Sequence, residues 1–315
     1  MAYTNTDTNM STSTGYQVGM PEKYYTRELL REMEPNLVHL QFGKEYRMPL
    51  NNGLTQQLRK PIPVETNTTE LEEGNPGDGV MLAETEVTMT LKQYGDYARY
   101  TDKFDMAHID ANILESTQLF ADAGARSIDA VVREELATCT NVIRPNGKTE
   151  KSALTADDKL TSDMLLDAVK ILKKAKARKI DGYYIAIIGP DVWRDLMKDE
   201  LFVNVSTYQD KENIYRGEIG RMHGVRLVET TEAKIFEGAG AGGLDVASVI
   251  VLGKDAYGYT SWKGAKPRVI IKPAGSAGTS DPLDQISTVG WKMDGFGVAL
   301  IQPEYAVRIE CGFTA

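Results

Sequence analysis

From residue 106 to residue 139 the chain contains no proline and a single glycine, Gly124. Its apolar side chains recur there at three- and four-residue steps: Ile109, Ile113, Phe120, Ile128, Val131, Val132 and Leu136. That spacing lays one apolar stripe along a helix. It predicts a helix of about 30 residues, about 45 Å long at 1.5 Å per residue. Helices average about 11–12 residues, so one this long has to run the length of its domain as a spine. Pro145-Asn146-Gly147 then turns the chain.

Residues 60–100 follow a different period. Lys60-Pro61-Ile62-Pro63-Val64 reads as an extended lead-in. An acidic, polar stretch comes next, with Glu65, Glu70, Glu72 and Glu73 before Gly74-Asn75-Pro76-Gly77-Asp78-Gly79. Val80 to Tyr100 alternates apolar and polar residues as a strand does, with Val87, Met89 and Leu91 on one parity. The prediction is a long hairpin with a Gly/Pro tip. Neither face has enough apolar side chains to offset the entropy of ordering it, so such an arm needs another surface to lie on.

Upstream, residues 1–20 are rich in Thr, Asn and Ser and have almost nothing to bury, so they are expected to be mobile or ordered only against a neighbour. A short helix is predicted from Pro21 to Arg31, stopped by Pro35. Downstream, residues 155–260 read as a compact α/β unit. A helix capped at Thr161/Ser162 runs through about Lys179 with Leu165, Leu166, Val169 and Leu172 inward. Tyr183–Ile188 is a buried strand, Gly189-Pro190-Asp191 opens a second helix through Met197, and Gly224–Val228 and Ala247–Leu252 are further strands. After Lys266–Pro273 and a small-residue loop, Ser287–Cys311 is strand-rich and interrupted by Gly290, Gly295 and Gly297.

The charge balance changes what such a chain can hold. Its 36 Lys+Arg against 45 Asp+Glu give −9. A net acidic surface is poorly suited to gripping a phosphate backbone, which needs a basic face to release counterions. Near nucleic acid it would enclose rather than grip. Cys139 and Cys311 lie far apart in apolar-periodic stretches and read as buried small hydrophobes, not as a disulfide framework. No apolar run reaches the ~18 residues of a membrane span. The N-terminus lacks a basic-then-apolar leader, which places the chain in the cytoplasm or in something assembled there.

Candidate chemistry is thin. His39, His108 and His223 belong to no metal-ligand spacing and read as packing or surface histidines. Gly238–Gly243 satisfies G-x-G-x-x-G, but a strand follows it where a dinucleotide site needs a helix N-terminus. It reads as a flexible surface loop. The pairs Glu72/Glu73 and Asp157/Asp158 sit in turn-like stretches where solvated charge is the ordinary explanation. The lysine run at Lys173, Lys174, Lys176, Arg178 and Lys179 reads as a solvated helix end. No phosphate loop or nucleophile elbow occurs.

Four segments carry a resemblance. Gly217-Glu-Ile-Gly-Arg-Met-His-Gly-Val-Arg-Leu-Val-Glu229 resembles a segment of tailed-bacteriophage major capsid proteins. Asp281-Pro-Leu-Asp-Gln285 with Thr288-Val-Gly-Trp-Lys292 is similar to a signature of the N4-like major capsid family. Ile301–Glu310 resembles that family's closing strand, and Ile187-Ile-Gly-Pro-Asp-Val-Trp193 its strand-to-helix step. The resemblance spans roughly residues 20–315 and implies an α+β fold, the Hong Kong 97-type capsid fold. Its parts fall at 1–59 (N-terminal arm), 60–104 (extended β-hairpin loop) and 105–147 (spine helix of the peripheral domain). An axial α/β domain follows at 148–265, and return strands of both domains at 266–315.

The resemblance further implies an icosahedral shell of hexamers and pentamers that encloses double-stranded DNA without sequence-specific binding. Portal, scaffolding and decoration proteins would be its partners, and the virion would be assembled in host cytoplasm. It implies no catalytic residue, cofactor or metal. No helical scaffolding segment precedes the arm, so scaffolding is expected from a separate protein, and no lysine–asparagine crosslink is predicted. Inter-subunit contacts are expected from Glu65, Glu70, Glu72, Glu73, Asn75, Pro76 and Asp78 on the hairpin. Two rivals remain: a cellular nanocompartment shell of the same fold, told apart by protein rather than DNA cargo, and a soluble α/β enzyme, told apart by a small oligomer that binds a metabolite.

Overall fold

The computed structural model describes residues 38–64, 66–68, 70, 74, 79–102, 113–199, 221–262, 267–276 and 281–314, with backbone alone for 113–118 and 221. Residues 1–37 of the predicted arm, with the helix at Pro21–Arg31, and His108 and most of the hairpin tip lie outside these residues. Two sheets and one helix share the core, and a two-stranded ribbon projects from it.

The first sheet is built on one long strand. β1 (Lys44–Met48), β2 (Thr55–Pro61), β3 (Glu84–Thr90) and β4 (Lys92–Thr101) precede helix α1 (Ile113–Leu136). Far downstream come β11 (Tyr257–Trp262), β12 (Arg268–Lys272) and β13 (Ile286–Leu300). β13 is antiparallel to β4 on one side and to β12 and β11 on the other, and β1 runs parallel to β11. Val289, Trp291 and Met293 face α1 and are buried there with Ala121, Ala125, Ile128 and Val132. Gly124 admits the Trp291 indole: a Cβ at this position would lie 3.1 Å from the ring. The single glycine of the helix is thus a packing residue.

The second sheet uses β5 (Val142–Ile143), β6 (Tyr184–Ile188), β7 (Arg221–Met222), β8 (Val225–Glu229), β9 (Ile235–Phe236), β10 (Val246–Leu252) and β14 (Ala306–Cys311). Its order is β5-β14-β10-β6-β8-β7, with β9 beside β10. Helices α2 (Ser162–Lys174) and α3 (Pro190–Leu196) cover one face, burying Leu165, Leu172, Val249, Val251 and Ile309. Ile185, Ile187, Ile250 and Leu252 on the other face join the α1 core. Coverage on both faces explains why Ala247–Leu252 is an apolar run rather than an alternation.

Three elements depart from the sequence expectation. Helix α1 ends at Leu136 rather than 139, and its predicted first turns lie outside the described residues. Helix α2 stops at Lys174 rather than Lys179, because Lys176 turns left-handed at φ 58°. Its start is not capped by the Thr161 side chain; the Ser162 N–H donates to Asp199 at 2.9 Å. The hairpin ladder begins at Thr55 rather than 60 and joins only β2 and β3; Lys92–Thr101 belongs to the body sheet. The inward parity changes there, from Met89 and Leu91 to Tyr94, Ala98 and Tyr100. That change lets one extended segment serve two sheets.

Candidate functional site

Two buried carboxylates of the body are tied into structural networks. Asp158 is buried and accepts from the Lys148 ammonium, from Asn146 at 2.8 Å and from the N–H and hydroxyl of Thr155 at 2.7 Å each. Burial opposes its charge, but these donors outweigh burial and hold its carboxyl well below the usual carboxylate range. The expectation that Asp157/Asp158 are solvated is therefore corrected: Asp157 is exposed and Asp158 is caged. Glu310 is likewise enclosed, with Arg144 at 2.6 Å, Arg308 at 3.0 Å and Lys151 at 3.2 Å.

Neither cysteine is a candidate nucleophile. Both are buried and free, and burial pushes the Cys311 thiol up to about 12. His223 is exposed beside the Ser162 hydroxyl at 2.8 Å, and His39 is buried. Among the described residues no group of three or more His, Cys, Asp or Glu side chains could hold a metal ion, and no helix is long and apolar enough to cross a membrane. Gly238–Gly243 is followed by β10, not a helix. It is a hydrogen-bonded loop rather than a loose one: the Ala241 N–H donates to Leu154 O at 2.8 Å and the Gly240 N–H to Leu244 O at 2.7 Å.

What the body leaves uncovered is the ribbon of β2 and β3. Their register sets Gln56 opposite Met89 and Leu58 opposite Val87. At the base this face is closed by the chain itself. Met89 is 0% exposed, the Leu91 N–H donates to Leu54 O at 2.8 Å, Gln56 meets the Thr260 hydroxyl, and Lys60 lies 3.6 Å from Glu304. The ladder continues past Pro61 through the Ile62 N–H to Ala83 O, 2.9 Å. Strand alternation then carries the same face outward through Ile62, Val64 and Met81. Among the described residues nothing covers it here. Met81 is 92% exposed and Leu82 81%, with Ile62, Val64 and Val80 also exposed.

Of the contact residues expected from sequence, Glu70 is described and exposed. Glu65, Glu72, Glu73, Asn75, Pro76 and Asp78 lie outside the described residues. The apolar set Ile62, Val64, Val80, Met81 and Leu82 was not among the expected contacts. A signal for it was present: Val80-Met81-Leu82 is an apolar run directly after the polar Gly/Pro tip.

Residues 84–309 match the family model for phage capsid protein. Among solved structures, the capsid of cyanophage Pam1 is similar with a TM-score of 0.67 at 14% identity, over 90% of this chain and 92% of that one. The Ralstonia phage GP4 capsid gives 0.66 at 11% identity, over 87% and 88%. The capsid of cyanophage P-SCSP1u gives 0.64 at 16% identity, over 87% of each. At these identities the likeness is one of fold. No curated protein matches the chain.

Proposed function

Since the chain belongs to the phage capsid protein family, a family of structural rather than catalytic proteins, we propose that it is the subunit that closes an icosahedral head by self-assembly. In this reading the fold is of the Hong Kong 97 type and the subunits gather as hexamers and pentamers. The head encloses double-stranded DNA, and portal and scaffolding proteins act with it. The division into arm (1–59), hairpin loop (60–104), spine (105–147), axial domain (148–265) and return strands (266–315) belongs to the same proposal.

One observation carries it: the ribbon face that the body buries at Met89 runs on, bare, to Met81. A monomer gains nothing from exposing this stripe. Covering a Val, Leu, Ile or Met side chain contributes about 1.5–3 kcal/mol, whereas an exposed ion pair contributes about 0–1 kcal/mol. The apolar stripe therefore supplies the energy of a docked ribbon, and the acidic tip supplies register and specificity. Many such contacts, each modest, sum to a stable shell that can still correct errors as it grows. The net charge of −9 also suits a wall that must not adhere to a packed genome.

Deleting residues 66–79 tests this. The expected product is a soluble, folded subunit that forms no closed shells under negative-stain electron microscopy. Normal particles from that variant would overturn the reading.

A further inference from the structure

The chain holds two Asn–Gly pairs, Asn52-Gly53 between β1 and β2 and Asn146-Gly147 after β5. Asparagine is among the chemically labile residues, and a following glycine exposes it most. With no Cβ on the glycine, its backbone nitrogen meets little hindrance and its backbone turns freely. The structure treats the two pairs differently.

Asn51, Asn52 and Gly53 are all exposed. Asn51 and Gly53 are both left-handed, at φ 70° and φ 87°. A Cβ on Gly53 would meet nothing within 4 Å, so this glycine serves the turn and not packing. Among the described residues neither the Asn52 carboxamide nor the Gly53 N–H has a hydrogen-bond partner. Nothing therefore holds the carboxamide away from the Gly53 nitrogen. Asn146 is exposed too, but it is tied down twice. Its Nδ2 donates to the caged Asp158 at 2.8 Å, and the Lys148 N–H closes the turn on Pro145 O at 3.2 Å. Bringing its carboxamide carbon onto the Gly147 nitrogen would break the first bond and twist the turn that the second one holds.

From this contrast we infer that Asn52 is a site of self-modification, where the chain converts its own asparagine to aspartate and isoaspartate. The Gly53 nitrogen gives its proton to solvent base and bonds to Cγ of Asn52. The Cγ–Nδ2 bond breaks, ammonia leaves, and a succinimide ring closes. Water then opens the ring. Cleavage at Cγ gives aspartate, and cleavage at the main-chain carbonyl carbon gives isoaspartate, whose backbone runs through Cγ. Water is consumed and ammonia released, with no oxidation or reduction.

Either product places a carboxylate between the exposed Leu50 and Leu54. Isoaspartate also adds one backbone carbon shortly before Thr55, where the ladder with Thr90 begins. The change is one-way once ammonia is lost, and it falls at the base of the ribbon. The inference stands apart from the proposed shell function.

Incubation of the purified chain in mildly alkaline buffer, followed by proteolytic peptide mapping with mass spectrometry, tests it. The peptide holding Asn52 should gain the mass of amide-to-acid conversion, as two separable isomers, several-fold faster than the peptide holding Asn146. The rate should fall several-fold in weakly acidic buffer, where less of the Gly53 nitrogen is deprotonated. An Asn52 that converts no faster than Asn146 overturns the inference.

Two controls locate the cause. In guanidinium the two pairs should convert at similar rates; an Asn146 that stays slow there would show that its tether protects nothing, and the contrast behind the inference would fall. Asn52→Gln, whose longer side chain must close a larger ring, should abolish the mass gain. The same gain in that variant would move the reaction to Asn51 and overturn the assignment.

Discussion

His39 Nδ1 lies 2.5 Å from Asp129 Oδ2, and the His39 N–H donates to Asp129 Oδ1 at 2.8 Å. Both residues are 1% exposed, and the Tyr257 hydroxyl donates to the His39 carbonyl. Three groups of one residue are thus held by helix α1 and strand β11. This clamp fixes the point where the lead-in to β1 meets the spine. Asp129→Ala leaves two buried donors unmatched and should cost about 2–5 kcal/mol. Urea unfolding of the free subunit measures it, and a loss under about 1 kcal/mol would show the clamp to be incidental.

The same substitution at two glycines should have unequal effects. Gly124→Ala places a methyl 3.1 Å from the Trp291 ring but gains about 1 kcal/mol of helix propensity, so it should change stability by less than about 1 kcal/mol. Gly290→Ala drives a methyl to 2.6 Å from backbone, which cannot yield as a side-chain tip can, and should cost about 2 kcal/mol or more. Thermal unfolding of the two variants side by side decides it.

Acid should act partly through Asp158. Its donors hold the folded carboxyl below the unfolded value of about 3.9. The stabilisation is therefore complete above that value and is lost as pH falls below about 4 toward the folded pKa. Asp158→Asn should be less stable at neutral pH and should lose stability less steeply on acidification. Denaturant midpoints at pH 6, 4 and 3 check this; parallel curves for variant and parent would reject the role.

Both thiols should be silent in the native protein. Burial raises the Cys139 and Cys311 thiols, so little thiolate is available, and neither sulfur is accessible. Iodoacetamide followed by mass measurement should add no label to the native chain and two labels in guanidinium. Native labelling within minutes would contradict the packing.

On the ribbon, apolar contacts should outrank charge. Met81→Asp should leave subunit stability within about 0.5 kcal/mol, because that side chain is 92% exposed, yet should abolish shells. Glu70→Gln should still assemble. Particle yield by sedimentation separates the two, and the reverse ranking would make electrostatics the driving term.

Much of the body was legible because its signals are local. The 3.6-residue stripe that ends at Leu136, the run Ala247–Leu252 and the Gly189-Pro190 start of α3 each state their own conformation through spacing or backbone restriction. The strand character of the hairpin was legible as well, since a period-two alternation such as Val87, Met89 and Leu91 needs no coordinates. The exposed apolar face of the ribbon was harder to see for a related reason. Acidic residues stand out in a sequence, whereas Met81 looks like any strand methionine until its neighbours are known.

Sequence alone therefore determined the elements, the acidic balance and the family resemblance, because propensity, period and composition are properties of short stretches and sums. Tertiary structure alone decided which surfaces those elements share. That Leu91 turns inward on one sheet and Tyr94 on the next, that Asp158 is caged while Asp157 is wet, and that Gly290 lies against Tyr97 all depend on pairings between distant residues. Such pairings are selected by which faces remain uncovered once the core has closed, and no local window of the chain records that.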